Sequence, residues 1–210
     1  MLDFRADMER LRRECPWKRE QTHRSLARYL QEEVHETLEA IDTGDTDHLR
    51  EELGDLLLQV YFHAVIAEEA GEFTLDDVAR GIADKMHRRN PHVFGAASPT
   101  GLSSAQLTPA EVNAQWQEIK RAERLERLED RLPSPYDGIA DGLPALLLAT
   151  KILERLGTPV AEPPVEPVEP VETAAWIGDR LLSVVADAVE AGVDPEQALR
   201  DAVRRAAPSQ

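Results

Sequence analysis

Two acidic blocks separated by a short polar turn constrain this chain more than any other feature. The first is Glu32-Glu33-Val34-His35-Glu36, and the second is Glu52-Leu53-Gly54-Asp55. Side chains three and four residues apart share a helix face. Glu32, Glu33 and Glu36 therefore fall within one narrow arc, and Glu52 and Asp55 within another. Asp42-Thr43-Gly44-Asp45 lies between the blocks. Helices joined by so short a turn usually pack antiparallel, so the two acidic faces can meet. Like charges gathered there repel unless something neutralises them. Hard oxygen ligands at this density suit Mg²⁺ or Mn²⁺.

In a chain that is 30% charged, any single glutamate is ordinarily a solvated surface residue. The setting of these acids is different. Leu49, Leu53, Leu56, Leu57 and Val60 form an apolar stripe at helical spacing, expected to be core. Glu52 and Asp55 sit at its margin, whereas solvent-facing acids more often sit opposite such a stripe.

The flanking segments carry a resemblance. Cys15-Pro16-Trp17 and Gln21-Thr22 precede the first block, and Glu51-Glu52-Leu53-Gly54-Asp55-Leu56-Leu57 frames the second. Asp84-Lys85-Met86 and Arg88-Arg89-Asn90-Pro91-His92-Val93-Phe94 follow, then Trp116-Gln117-Glu118-Ile119-Lys120 and Leu143-Pro144-Ala145-Leu146. In this order they resemble the MazG-type nucleoside triphosphate pyrophosphohydrolases, well over residues 1–157 and weakly beyond. The resemblance implies an all-α antiparallel helical bundle with a four-helix core, assembled as a homodimer. It implies Mg²⁺-dependent hydrolysis of (d)NTPs to (d)NMPs and pyrophosphate, with removal of non-standard nucleotides as one use.

Composition favours a helical, soluble protein. Aromatic residues are only 5% of the chain, so the core must rely on Leu, Ala, Val and Ile, which favours helices. No segment shows the alternation of a strand. The formal net charge of -16 argues against general nucleic-acid binding. Cys15 is the only cysteine, which rules out an intramolecular disulfide and fits a cytoplasmic location. Met1-Leu2-Asp3-Phe4-Arg5 lacks the apolar run of a secretion signal, and no run is long enough to cross a bilayer. No membrane partner is expected.

Local signals divide the chain into helices. The expected spans are 3–14, 24–42, 46–70, a fourth ending at Arg89 before Asn90-Pro91, and a fifth from Thr108-Pro109 to Arg131. Cys15-Pro16-Trp17 reads as a break and residues 91–107 as a loop. Residues 1–131 form the expected catalytic bundle. Residues 132–210 read as a degenerate second half, with helices at 143–156, 174–191 and 195–206. Between these helices, residues 158–172 alternate Pro, Val and Glu, which excludes an α-helix and reads as an extended linker. Gly54-Asp55-Leu56-Leu57-Leu58 resembles Gly178-Asp179-Arg180-Leu181-Leu182. In that register Trp176 stands where Glu52 does, and only Asp179 remains as an acid.

Glu32, Glu33, Glu36, Glu52 and Asp55 are thus the candidate metal ligands and catalytic groups. The general base is left open, with Glu32 and Glu33 both eligible. Lys85 and Arg89 share a helix face. The resemblance makes them the phosphate-contacting pair; their position alone equally suits cations complementing a helix C-terminus. Trp116 and Lys120 are also one turn apart, read either as base-stacking and phosphate groups or as ordinary packing. Trp17 carries the same two readings. No Gly-x-x-x-x-Gly-Lys loop occurs, so P-loop chemistry is unsupported. The alternatives are a narrower dUTP or phosphoribosyl-ATP pyrophosphohydrolase, and a non-catalytic helical interaction protein with relic acids.

Overall fold

The computed structural model describes residues 4–95, 107–127, 132, 134–156 and 173–206. They form helices α1 (Phe4–Glu14), α2 (Pro16–Glu20), α3 (His23–Thr43), α4 (Thr46–Glu69), α5 (Leu75–Arg89) and α6 (Pro91–Phe94). These are followed by α7 (Pro109–Glu126), α8 (Ala145–Leu156), α9 (Thr173–Glu190) and α10 (Pro195–Ala206). No strand occurs among the described residues, and the fold is all-α. Two short helices, α2 and α6, stand where a break and a loop were expected. Each begins with proline, whose missing N–H costs nothing in the first turn and whose fixed φ suits a helix start. The proposed linker at 158–172 lies outside the described residues.

The chain divides into two compact units, Met1–Trp116 and Gln117–Gln210. The boundary between them lies within α7.

In the first unit, α3 and α4 form the main helical hairpin, with α1 and α5 packed on α4. Its turn is built from backbone chemistry. Gly44 closes α3 with φ 71°, a left-handed conformation that glycine adopts without a Cβ penalty. Asp45 then caps α4, its carboxylate accepting the N–H groups of Asp47 and His48 at 3.0 and 3.1 Å. Thr22 and Ser25 cap α3 reciprocally, and Thr74 and Asp77 do the same for α5. The core consists of Met8, Leu26, Phe62 and Val65, with Phe4, Tyr29, Leu58, Tyr61 and Ile66 against it. Arg12 locks the base of α1: its guanidinium pairs with Glu69 and donates to the carbonyl of Gln21 at 3.0 Å.

The expected core stripe on α4 requires a correction. Leu53, Leu57 and Val60 are 52%, 50% and 43% exposed. The buried residues of α4 are Glu52, Gln59, Phe62, Ala64, Val65 and Ala67. Helix α1 covers the carboxyl-terminal half of α4 through Phe62 and Val65. The stripe faces a different side, which the described residues leave partly exposed.

In the second unit, α8, α9 and α10 pack on one another around Leu153 and Val185. Leu181 and Leu182 are exposed.

Candidate functional site

The hairpin brings the acidic blocks together as helical periodicity dictates. Glu33 and Glu36 are one turn apart on α3, beside the buried Thr37 and Ala40. Glu52 lies on the face of α4 that also carries Gln59. Glu33, Glu36 and Glu52 each bring one carboxylate oxygen within 4.8 Å of the others. Asp55 is close enough for its charge to act on Glu33. Glu32 is exposed and stands outside the three-residue group.

The carboxylates of the cluster repel one another. Burial lifts the Glu33 carboxyl above its ordinary range, and the charges of Asp55, Glu36 and Glu52 push it further. Gln59 acts in the opposite direction: its Nε2 donates to Glu33 Oε1 at 3.4 Å. Glu52 is only 8% exposed. His48 Nε2 lies 3.0 Å from Glu52 Oε1, while Glu52 Oε2 is buried without a hydrogen-bond partner. A buried, unpartnered carboxylate oxygen beside two further carboxylates is costly in the absence of a cation. Hard oxygen donors that converge in this way suit a divalent metal ion.

The other predicted residues are placed separately. Lys85 and Arg89 are half-buried on α5, which packs on α4. The Arg89 guanidinium lies 6.0 Å from the centre of the Trp116 ring, within cation–π range. Lys120 follows one turn later on α7, in the second unit. Trp17 is half-exposed and meets Tyr29 edge-on, with ring centres 5.9 Å apart. Tyr29 is one turn before Glu33 on α3.

Two polar partners of the cluster, His48 and Gln59, escaped the sequence reading. The i, i+4 spacing of His48 and Glu52 was visible. Gln59 was hidden within an apolar run and reaches Glu33 only across the hairpin. A second unforeseen pair lies farther along the hairpin. His23 and His63 stack with 3° between their planes, and their Nδ1 atoms are 2.7 Å apart.

The chain is also similar to known proteins. Residues 21–94 match the family model of the MazG nucleotide pyrophosphohydrolase domain. A Thermotoga maritima protein named nucleoside triphosphate pyrophosphohydrolase/pyrophosphatase MazG is 39% identical, over 94% of this chain and 79% of the relative. A Streptomyces cacaoi protein, named only as an uncharacterized 26.1 kDa protein in the blaB 3' region, is 41% identical over 96% of this chain and 77% of its own length. A Mycobacterium tuberculosis nucleoside triphosphate pyrophosphohydrolase is 41% identical over 97% of this chain, which spans 54% of that relative.

Proposed function

This chain belongs to the MazG nucleotide pyrophosphohydrolase family, and from that premise we propose that it hydrolyses (d)NTPs to (d)NMPs and pyrophosphate with Mg²⁺. The observation that carries the proposal is the convergence of Glu33, Glu36 and Glu52, with one buried oxygen of Glu52 left unpartnered. Family membership supplies the reaction class, and the carboxylates supply a place for the metal.

Glu33, Glu36, Glu52 and Asp55 would hold Mg²⁺, or Mn²⁺ in its stead. When bound, such an ion shields phosphate charge and lowers the pKa of water. The remaining tasks belong to the protein. Glu32, exposed one turn before Glu36, orients the attacking water and accepts its proton. Arg89 and Lys85 neutralise the phosphates, Arg89 through a bidentate contact. Trp116 offers a ring face to the base, with Arg89 already set over the ring, and Trp17 offers a second aromatic surface. A cytoplasmic location fits nucleotide substrates. Among the described residues, no helix is long and apolar enough to cross a membrane.

The working form in this proposal is a homodimer. Leu53, Leu57 and Val60 of α4 are exposed, as are Val78 and Ile82 of α5. An apolar surface of this kind marks an interface rather than a solvated face. The second unit is proposed to do no chemistry. In the register that sets Trp176 against Glu52, Leu53, Leu57 and Val60 align with Ile177, Leu181 and Val184, all exposed. The distal half keeps an apolar face but, of the acids, only Asp179.

A panel of NTPs and dNTPs, assayed for pyrophosphate with Mg²⁺ and with EDTA, tests the proposal. Metal-dependent release from at least one nucleotide supports it. Absence of release across the panel refutes it.

A further inference from the structure

The two least exposed carboxylates of the cluster are each held by one oxygen only. His48 Nε2 lies against Glu52 Oε1 at 3.0 Å, and Glu52 Oε2 remains buried without a partner. Gln59 Nε2 donates to Glu33 Oε1 at 3.4 Å. Gln59 is itself 6% exposed, and its Oε1 is also buried without a partner. Leaving a buried amide oxygen unsatisfied costs free energy. Turning the amide over would set its oxygen against the Glu33 carboxylate, acceptor against acceptor. The charge of Glu33 therefore fixes the orientation of Gln59, and the hydrogen bond in turn fixes the Glu33 carboxylate.

The geometry points to His48 and Gln59 as positioning residues for the metal ligands. Each pins one oxygen of a carboxylate and leaves the other to the shared cation. The pins come from different places: His48 acts along α4 from one turn before Glu52, and Gln59 acts across the hairpin onto α3. Together they restrain a ligand on each helix. Without them, the mutually repelling carboxylates would rotate apart, and ordering them would oppose ion binding. Neither residue touches substrate in this account. The inference rests on the metal-binding reading given under Proposed function.

Mn²⁺ binding to the full chain, followed by the EPR signal of free Mn²⁺, tests it without recourse to turnover. The variants are His48→Leu, His48→Gln and Gln59→Leu. Loss of partners that orient metal ligands typically weakens affinity about ten- to a hundredfold. That loss is expected in both Leu variants, with helicity by circular dichroism unchanged. His48→Gln retains an amide donor and should recover most of the affinity, which a purely structural role for the imidazole would not produce. The His48 side chain is 37% exposed, so His48→Leu decides the matter even if Gln59→Leu fails to fold. Wild-type affinity in folded His48→Leu and Gln59→Leu overturns the inference and leaves the metal-binding reading intact. If the unaltered chain binds no Mn²⁺, the metal-binding reading fails and takes the inference with it.

Discussion

His23 and His63 face each other across the α3–α4 hairpin with Nδ1 atoms 2.7 Å apart, so one ring donates and the other accepts. The Nε2 of His63 is buried without a partner. Burial first, and then the neighbouring charge of His23, lowers the pKa of His63 below its ordinary value of 6.5. A depressed folded-state pKa contributes stability that is present above the unfolded value and lost as pH falls through the folded one. The thermal midpoint of the wild type should therefore fall on acidification below 6.5. His63→Gln should flatten that fall. Parallel pH profiles for the two proteins would show that the pair does not titrate in this way.

The acid cluster predicts opposite effects on turnover and on metal-free stability. Glu36→Gln and Asp55→Asn should each reduce turnover by about a hundredfold or more, since indirect partners of metal ligands alone cost ~10–100-fold. Both variants should remain helical. Glu36 is among the charges that raise the Glu33 pKa. Stability linked to a raised carboxyl pKa is present at low pH and lost as pH rises through the folded value. The metal-free midpoint should thus be higher in Glu36→Gln at neutral pH, and the difference should shrink on acidification. Full pyrophosphate release by both variants would place the site elsewhere.

Assembly can be tested at the uncovered face of α4. Leu57 is 50% exposed, so Leu57→Glu leaves the core of one chain intact while setting a charge into the proposed interface. Light scattering should show a dimer for the wild type and a shift toward monomer for the variant. A fully active wild-type monomer under assay conditions would remove the dimer from the account.

The distal half supplies a fourth prediction. A chain ending at Arg131 retains both acidic blocks, Lys85, Arg89, Trp116 and Lys120. It should keep metal binding and at least partial activity, with lower stability or altered assembly. A folded, dimeric, metal-binding but inactive product would show that residues 132–210 supply something essential.

The parts of this fold legible in the sequence were those set by local chemistry. Gly44 and Asp45 mark the hairpin turn, because capping needs only nearby residues. The spacing of Glu33, Glu36 and Glu52 could be read for the same reason: the helical period fixes which side chains share a face. Periodicity does not say which neighbour covers a face. Leu53, Leu57 and Val60 therefore read as core, although α1 covers α4 through Phe62 and Val65. Gln59 and the His23–His63 pair depend on contacts between residues 26 and 40 positions apart. No local pattern announces such contacts.

The central claim is that the carboxylates of α3 and α4 direct cleavage between the α- and β-phosphates. Phosphorus NMR of a cleaved nucleotide, with Mg²⁺ and either the wild type or Glu36→Gln, tests it most directly. The account predicts nucleoside monophosphate and pyrophosphate in equal amounts from the wild type, and uncleaved triphosphate from the variant. Nucleoside diphosphate with orthophosphate, or unchanged cleavage by Glu36→Gln, would contradict it.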